Sequence, residues 1–459
     1  MKPTVTRRTF IRGTGAALAG LAITPRVGLS AADLTRKPDK LALLGGTPVR
    51  SQPYSSTWPI IDKAEEDALL TALKSRNWCC LRGHCVYDFE KTFAAAMGAG
   101  RAVLSNGGTT ALGASLACLG VGAGDEVITT PNTFIATINV ITNLHALPVY
   151  VDIDPDTGSI DAELIEEAIT ENTRAILPVH LAGFPVDIEK IMSIANQHRI
   201  PVVEDACQSV FAEVGGKKVG TFGATGCISF QEWKSLVSGE GGAILCSDDE
   251  LGRRCASFVN NGRDAKGEIG GYPFPGSNHR MTEFQAAILT AQYEKFLRHD
   301  AARQKHGRYL EETLGKITGF SPRKRYNPNT RFTYVQFEMD YDPEAFKDVP
   351  AATFAKALRA EGIPFNGGPR IYRGGCHKEG MLEEHLNSRG FVKAFGKARL
   401  KAYRESLKKL QVMDGLVPAK KQFLSMDSKI PLLGSDRETE DIVTAFAKVV
   451  ANLDALRSA

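Results

Sequence analysis

Apolar and polar positions follow a regular alternation of two patterns through the middle of this chain. From residue 102 onward, short apolar runs typical of buried strands alternate with segments whose apolar residues recur at helical spacing. The strands are predicted at 102–105, 126–130, 148–153, 175–180 and 201–204, and the helices at 111–119, 135–145, 162–169 and 188–197. This alternation predicts βαβ units and a mostly parallel sheet.

Different patterns flank this region. Helices are predicted at 63–75 and 86–97, two strands at 227–230 and 243–246, and a helix that ends at 259 and begins at a capping box on Ser247. Further on come a helix at 283–314, a strand at 332–339, a helix at 351–361, a basic amphipathic helix at 391–410 and a last helix from a capping box on Ser435. These patterns predict a lead-in at 33–60, a large domain at 61–300 and a smaller C-terminal α+β domain at 301–459.

The first 32 residues differ from the rest of the chain. Arg7 and Arg8 precede a mildly apolar run at 13–24, and small residues follow at 30–32. This is the order of an export signal, and the paired arginines resemble a twin-arginine signal. The run is too short to span a bilayer as a helix. We therefore expect an exported, periplasmic protein with no stable membrane span, and a disordered basic arm is the alternative.

Composition changes this picture only a little. A net charge of +4 on 459 residues gives no reason to expect nucleic-acid binding. The nine cysteines are an odd number and lack the CxxC spacing of metal sites, so no structural metal is expected. Cys80 and Cys85 could pair in an oxidising compartment. Several other cysteines fall in apolar patterns, where cysteine is usually a small core residue.

Side chains with a possible chemical role follow the predicted strands at their carboxyl ends, where open α/β sheets bind ligands. They are Gly108, Thr109 and Thr110 at the start of a helix, Phe134, His180, Asp205, Gln208, Ser229 and Lys234. Free N–H groups at a helix start can hold a phosphate, and Ser229 can donate a further hydrogen bond. Phe134 could stack on a pyridine ring, and Asp205 could pair with the protonated nitrogen of that ring.

Lys234 follows the strand at 227–230 and precedes a glycine-rich turn. A lysine at the edge of a buried strand is costly unless it is paired or neutralised, and such surroundings favour the free amine that forms a Schiff base. Taken alone, Lys234 could be a surface residue of a hairpin, Phe134 a core residue and Asp205 a strand-end cap. His180 is interpreted as structural. The joint order of phosphate turn, aromatic ring, acid and lysine indicates a pyridoxal phosphate site.

Several sequence blocks resemble the DegT/DnrJ/EryC1/StrS aminotransferases. They are GDEVI at 124–128, PNTFIAT at 131–137, PVHLAG at 178–183, VVEDACQS at 202–209, SFQEWK at 229–234, GEGG at 239–242, NNGR at 260–263 and GSNHRM at 276–281. The blocks occur in the order that the family has, and the resemblance covers roughly residues 43–345.

The resemblance implies an α/β protein of the pyridoxal phosphate-dependent fold type I, with a mostly parallel seven-stranded sheet and its site at a homodimer interface. Its implied site residues are Lys234 as Schiff-base lysine and proton shuttle, Asp205 on the pyridine nitrogen, Gln208 on the ring, Thr109, Thr110 and Ser229 on the phosphate, and Asn278 on the phosphate of the partner subunit. Glutamate or glutamine would donate the amino group, and a keto sugar or keto cyclitol would accept it in a ping-pong reaction.

The chain also departs from the family pattern. Four residues differ from those that are usual in the family: Gly107 replaces serine, Cys207 replaces alanine, Trp233 replaces a small or polar residue, and His279 replaces tyrosine. These changes leave the cofactor residues in place and concern the acceptor pocket. The tail at 423–446 resembles the branch that aminates cyclitols such as scyllo-inosose more closely than the branch that aminates nucleotide-linked sugars. A dehydratase on this scaffold would carry histidine in place of Lys234, which argues against that activity. An exported, non-catalytic binding or regulatory protein that keeps the scaffold is the other alternative.

Overall fold

The protein is described by a computed structural model that covers residues 39–264, 271–369, 374–416 and 422–458. These residues belong to one unit, Pro38–Ala459. The predicted signal at 1–32 and the first residues of the predicted lead-in lie outside the described residues. In the described part of the chain, no helix is both long and apolar enough to cross a membrane.

Strands alternate with α-helices or 3₁₀ turns from about residue 101 to 205, and five successive strands then precede the next helix. The strands are β1 (Arg101–Ser105), β2 (Glu126–Thr129), β3 (Leu147–Tyr150), β4 (Thr173–Ile176), β5 (Val203–Asp205), β6 (Glu213–Val214), β7 (Lys217–Lys218), β8 (Thr225–Ser229), β9 (Gly242–Cys246), β10 (Phe320–Pro322), β11 (Gln336–Tyr341), β12 (Phe365–Pro369) and β13 (Gln422–Asp427). The helices are α1 (Lys63–Ser75), α2 (Cys85–Met97), α3 (Gly108–Cys118), α4 (Ala136–Asn143), α5 (Ile188–His198), α6 (Asp249–Val259), α7 (Glu283–Leu314), α8 (Ala351–Ala360), α9 (Gly380–Asn387), α10 (Arg389–Leu407), α11 (Asp436–Ala451) and α12 (Leu453–Arg457).

The large sheet runs in the order β3-β2-β4-β5-β8-β9-β1. Strand β2 pairs in parallel with β3 and β4, and parallel bridges from Ile176 to Val202 and from Val179 to Asp205 continue the sheet to β5. Strand β5 pairs in parallel with β8, whereas β9 is antiparallel to both β8 and β1. The prediction of a mostly parallel seven-stranded sheet is confirmed, and β9 is the antiparallel strand in it.

Successive side chains of each strand enter two different cores, because they point to opposite faces of the sheet. On one face, Val103 and Ile244 pack with apolar residues of α3 and α6. On the other face, Leu104 and Leu245 pack with apolar residues of α2, α5 and α7. Both faces are therefore covered by helices, which leaves the carboxyl edge of the parallel strands as the place where polar side chains can meet.

Three local predictions differ from the structure. The predicted helix at 162–169 is two 3₁₀ turns, Ala162–Leu164 and Glu166–Ala168. Its backbone N–H groups bond three residues back rather than four, as from Ala168 N to Ile165 O. The strand predicted at 332–339 begins later, at Gln336. The cap of α6 is Asp248 rather than Ser247, because the Asp248 side chain accepts from Leu251 N.

The C-terminal part carries a second, antiparallel sheet in the order β10-β11-β13-β12. Phe446 of α11 packs its ring against Phe320, Phe354 and Phe365, with centroid separations of 5.3, 5.8 and 5.1 Å. This is the predicted α+β unit. Residue 300, the predicted domain boundary, lies inside the continuous helix α7, so the division into two domains at that residue stays a prediction.

Two buried carboxylates fasten the lead-in to this C-terminal part. Glu361 accepts a hydrogen bond of 2.8 Å from Ala42 N. Glu438 accepts from the Arg50 guanidinium at 2.6 Å and from the N–H and hydroxyl groups of Ser55 at 2.7 and 2.6 Å. Burial opposes ionisation of Glu438, but the hydrogen bonds from Ser55 and Ser435 outweigh it and lower its pKa to about 2.

Replacing Glu438 by glutamine is expected to destabilise the protein near neutral pH by about 1–3 kcal/mol, because a charged acceptor is lost. The pKa of Glu438 in the folded protein lies below its usual value of 4.5. Its contribution is therefore present above that value and declines as the pH falls towards about 2. Urea unfolding of both proteins at about pH 7 and about pH 3 should show the difference shrinking. Glu312→Gln, at an exposed position of α7, is the control and should change little. An unchanged difference at both pH values would refute this account of Glu438.

Candidate active site

The phosphate turn predicted from the sequence lies between β1 and α3. Gly107 is the residue before the helix and no side chain caps it, so the first N–H groups of α3 face the carboxyl edge of the sheet. Thr109 is exposed, and the Thr110 hydroxyl bonds to Asn106 Oδ1 at 2.8 Å within the turn. Because α3 is an eleven-residue helix, its start is a suitable binding site for an anion.

Gly108 marks the point where three elements meet. A Cβ atom built on Gly108 would lie 2.8 Å from Cβ of Ser229, at the end of β8, and 2.9 Å from Sγ of Cys207, just after β5. Contacts this short leave no room for a side chain at position 108. The structure therefore brings the predicted phosphate residues Gly108 and Ser229 together, and it adds Cys207 to them.

Asp205 ends β5 and is buried, with 6% of its surface exposed. Its Oδ2 accepts a hydrogen bond of 2.8 Å from Thr137 Oγ1, and its Oδ1 accepts one of 3.2 Å from Cys207 N. Since Thr137 donates its proton to Asp205, the 2.8 Å contact between the hydroxyls of Thr133 and Thr137 has Thr133 as donor. A chain of two threonines thus fixes the orientation of the carboxylate.

Phe134 lies in the loop between β2 and α4 that also carries this threonine pair. Its side chain is 44% exposed, which is unusual for a large ring in a core position and fits the predicted stacking role. The neighbouring backbone is held from the C-terminal part: Cys376 N donates to Pro131 O at 2.8 Å, and Cys376 Sγ contacts Thr133 O at 3.0 Å.

Gln208 and His180 have different surroundings. Gln208 Oε1 accepts from Ala182 N at 3.0 Å, so its amide nitrogen is the group that it can offer to a ligand. His180 is fully buried, its Nε2 lies 3.0 Å from Glu204 Oε2, and its Nδ1 accepts from Val186 N. Both ring nitrogens of His180 are therefore used inside the fold, as the structural interpretation expects.

Lys234 is half-buried in the turn between β8 and β9. The turn is fixed by backbone hydrogen bonds, with Lys234 N donating to Gln231 O at 2.8 Å and Glu232 N to Gly239 O at 2.9 Å. Burial raises the pKa of the Cys207 thiol well above its usual value; the charge of Asp205 adds to this shift and the charge of Lys234 opposes it.

A mostly apolar cavity of about 450 Å³ lies beside this turn, where Trp233 departs from the family pattern. Trp58 of the lead-in lines it and donates from Nε1 to Glu232 O at 2.7 Å. Lys429, after β13, places its ammonium group 5.6 Å from the centre of the Trp233 ring. The lead-in, the Lys234 turn and the C-terminal sheet thus form one wall.

Asn278 is exposed and forms an antiparallel bridge with Asn260. The next residue, His279, accepts a hydrogen bond of 2.8 Å from Asn106 N through its carbonyl, so this segment runs beside the phosphate turn of its own chain. The structure contains one chain, so the predicted reach of Asn278 to a partner stays a prediction.

The predictions about disulfides and metal sites are compared with the residues that the structure describes. All nine cysteines there are free thiols, including Cys80 and Cys85, so the structure does not contain the disulfide that the sequence allowed. Over residues 39–458, apart from the three short undescribed segments, no group of acidic, histidine and cysteine side chains could hold a metal ion.

Three contributors to the site escaped the sequence analysis: Thr137, Cys207 as a contact of Gly108, and the segment around Cys376. The signal for Thr137 was present, because it lies one helical turn after Thr133 within a block already singled out. The contact of Cys376 joins residues more than two hundred positions apart, and no local pattern predicts it.

Replacing Gly108 by alanine is expected to weaken pyridoxal phosphate binding strongly, because the new methyl group would overlap Ser229 and Cys207. Gly113→Ala, in the same helix, is the matched control, since its nearest neighbour would be 3.7 Å away. Cofactor titration followed by absorbance, beside circular dichroism for folding, measures the effect. Equal cofactor affinity in the two variants would contradict this description of the phosphate turn.

Comparison with known protein sequences identifies the family to which these site residues correspond. The model of the DegT/DnrJ/EryC1/StrS aminotransferase family matches residues 59–391. An L-glutamine:2-deoxy-scyllo-inosose aminotransferase of Micromonospora echinospora is 33% identical over 434 residues, which cover 91% of this chain and 99% of that protein. A GDP-perosamine synthase of Caulobacter vibrioides is 39% identical over 259 residues, covering 56% of this chain and 69% of the relative.

Solved structures show the same architecture. The aminotransferase from Psychrobacter cryohalolentis superposes with a TM-score of 0.73 at 26% identity, over 88% of this chain and all of that one. Nothing in these relatives supports the alternative of a non-catalytic binding protein. The chain belongs to the DegT/DnrJ/EryC1/StrS aminotransferase family and is a pyridoxal phosphate-dependent aminotransferase of fold type I.

Proposed function

We propose that this enzyme moves the amino group of glutamine or glutamate to the keto group of a cyclitol, in a ping-pong reaction with Lys234 as catalytic residue. The observation that carries the proposal is the convergence of Gly108, Asp205 and Ser229 on one point beside the Lys234 turn. The cyclitol-acting relative matches along the C-terminal part as well, which favours a cyclitol over a keto sugar as acceptor.

The residues of the site fit pyridoxal phosphate in their chemistry. When bound, the cofactor supplies an aldehyde carbon that takes up the amino group and a pyridine ring that accepts electrons. The N–H groups of Gly108, Thr109 and Thr110 and the hydroxyl of Ser229 would hold its phosphate. The absence of a side chain at Gly108 lets the start of α3 approach Ser229 and Cys207 closely, so that both phosphate-binding groups lie together.

Asp205 would hold the proton on the pyridine nitrogen. A carboxylate that is buried and oriented on both oxygens keeps that proton in place without moving during the reaction. Thr137 and Thr133 act through Asp205 and are positioning residues. Phe134 would cover the ring, and the Gln208 amide would donate to a ring substituent.

Lys234 would move the proton between the Cα atom of the amino donor and C4′ of the cofactor. This task requires that Nζ reach both atoms from one position, and the hydrogen-bonded turn from Gln231 to Gly239 fixes the backbone of Lys234. Half-burial keeps the amine away from bulk water, so that the proton returns to substrate rather than to solvent.

Assembly as a homodimer is part of this proposal. Five large apolar side chains of α1 and the segment after it are 39–53% exposed: Leu69, Leu70, Leu73, Trp78 and Leu81. Exposed apolar side chains that lie together often mark an interface, and we propose that these five form one. Asn278 would then donate to the phosphate held by the partner subunit. Analytical ultracentrifugation should give about twice the mass of one chain, and a stable monomer that is fully active would refute the proposal.

We also propose export through the twin-arginine route. The support is the sequence at 1–32 alone, with Arg7 and Arg8 before an apolar run. That route carries folded proteins, so the cofactor could be bound before export. A reporter fused after residue 32 should reach the periplasm, and replacing both arginines by lysine should retain it in the cytoplasm. Export that is unaffected by the replacement would refute this route.

Lys234→Ala is expected to lower the transamination rate by at least about 100-fold, because the proton shuttle is lost. In the unaltered enzyme, borohydride should attach pyridoxal phosphate irreversibly to the peptide that contains Lys234, and glutamine should remove the visible absorption band. Peptide mass spectrometry and stopped-flow absorbance measure these two effects.

Lys316→Ala, at an exposed position after α7, is the control and should behave like the unaltered enzyme. Transamination at an unchanged rate by Lys234→Ala would overturn the mechanism. Acceptors are then compared in the second half-reaction, with keto cyclitols against nucleotide-linked keto sugars. A clear preference for the latter would replace the cyclitol in the proposal.

A further inference from the structure

A second cavity, which shares no residue with the pyridoxal phosphate site, lies between α7, the β6–β7 hairpin and the segment that precedes β11. Its volume is about 820 Å³. Its walls carry three arginines and three glutamates: Arg308, Arg325, Arg331, Glu213, Glu311 and Glu312. Neutral polar groups come from Asn329 and Thr330. The cavity is therefore strongly polar and carries charges of both signs.

Some of these charges are paired within the protein, and others remain available to a ligand. Arg325 donates to Glu311 at 2.7 Å, and Arg331 forms an ion pair with Asp300. Arg308 is exposed on α7 and forms no ion pair with any residue that the structure describes. Its guanidinium group can therefore bind a carboxylate that enters the cavity.

Glu213 supplies a charge of the opposite sign. Its Oε1 atom lies 3.6 Å from Lys218 Nζ, which is beyond hydrogen-bond length, so the carboxylate can still accept from a ligand. A ligand of one sign would meet as many repelling as attracting groups on these walls, whereas a molecule with both a carboxylate and an ammonium group matches them. We propose that this cavity is a second binding site, for a free α-amino acid, with the carboxylate of the ligand on Arg308 and its ammonium group on Glu213.

Tyr334 lies between this cavity and the cofactor site. Its hydroxyl lies beside the Glu311 carboxylate. Its ring packs closely against α7, because a Cβ on Gly307 would be only 2.7 Å from it. The backbone of Tyr334 has a φ of +46°, in the left-handed region that residues other than glycine rarely adopt. Strain of this kind is held by the surrounding structure and is common at ligand clamps.

The backbone of Tyr334 adjoins the loop that holds Gln208. A Cβ on Gly183 would lie 3.0 Å from Tyr334 N, and Thr333 N donates to Gly183 O at 3.1 Å. The residue before Gly183, Ala182, donates its N–H to Gln208 Oε1 at 3.0 Å. A ligand that shifts Tyr334 would thus act on Gln208, and this second step rests on the cofactor contact of Gln208 proposed above. The amino acid is in this way an effector of the enzyme.

Binding is tested on the holoenzyme after borohydride reduction, because the reduced cofactor no longer reacts with an amino donor. L-Glutamine is the probe, and equilibrium dialysis gives its dissociation constant. Arg308→Met should weaken binding at least about 10-fold, since a charge-assisted hydrogen bond is lost. Arg298→Met, the same change at another exposed position of α7, is the control and should bind like the unaltered enzyme. Circular dichroism verifies that both variants fold.

Single-charge probes test the chemical class of the ligand. Propionate carries only the carboxylate and propylamine only the ammonium group, so each should bind at least about 10-fold more weakly than L-glutamine. Equal glutamine affinity in Arg308→Met and Arg298→Met, or tighter binding of either single-charge probe, would overturn the inference.

Fluorescence of the reduced cofactor tests the effect on the cofactor site. It should change when L-glutamine binds, and Gln208→Ala should keep the glutamine affinity but lose this change. Binding without a fluorescence change in the unaltered enzyme would refute the effector role. If borohydride does not attach the cofactor to Lys234, the proposed function fails, and the comparison of Arg308→Met with Arg298→Met still decides whether the cavity binds an amino acid.

Discussion

The close approach of α3 to the ends of β5 and β8 is the constraint on which the site depends. Gly108 has Ser229 and Cys207 within contact distance of the place where its side chain would be, so the phosphate turn, the acid strand and the lysine strand meet at one point. If α3 were displaced by the width of a methyl group, the anion-binding start of the helix would move relative to Asp205. Covalent bonds hold the distance between the phosphate group and the ring nitrogen of the cofactor within a narrow range, so the fold has to match it.

The two acids at the end of β5 show how one strand serves both structure and chemistry. Glu204 points to one face and is satisfied entirely within the protein, since it accepts from the backbone N–H groups of Gly220, Phe222 and Gly223 and contacts His180. Asp205 points to the other face, which is the side of the candidate active site. There the Thr137 hydroxyl and the Cys207 backbone N–H donate to its carboxylate and orient it. A shift of the strand by one residue would exchange the two carboxylates, so the register of β5 against β8 is a functional property.

Local sequence patterns predict much of this arrangement, and there are physical reasons why they do not predict the rest. The alternation of strands and helices predicts the sheet, and the residues at the strand ends predict Gly108, Asp205 and Ser229 as neighbours, because parallel strands share one carboxyl edge. The same patterns predict a helix at 162–169, where the structure has two 3₁₀ turns. They give no sign of Cys376 at the Phe134 loop, since that contact depends on how the C-terminal part packs. The sequence also does not reveal which of the adjacent acids, Glu204 or Asp205, points to which face of the sheet.

The Lys234 turn is held from two sides by parts of the chain that are distant in sequence. Trp58 of the lead-in bonds to Glu232 O, and Lys429 of the C-terminal sheet lies over the Trp233 ring. The lead-in is itself fastened to the C-terminal part through Glu361 and Glu438 (both buried). The backbone of the lysine is therefore part of a closed loop of contacts rather than a free hairpin. Because the backbone is fixed in this way, only the side chain of Lys234 is mobile. Proton transfer between two fixed carbon atoms requires a mobile side chain on a fixed backbone.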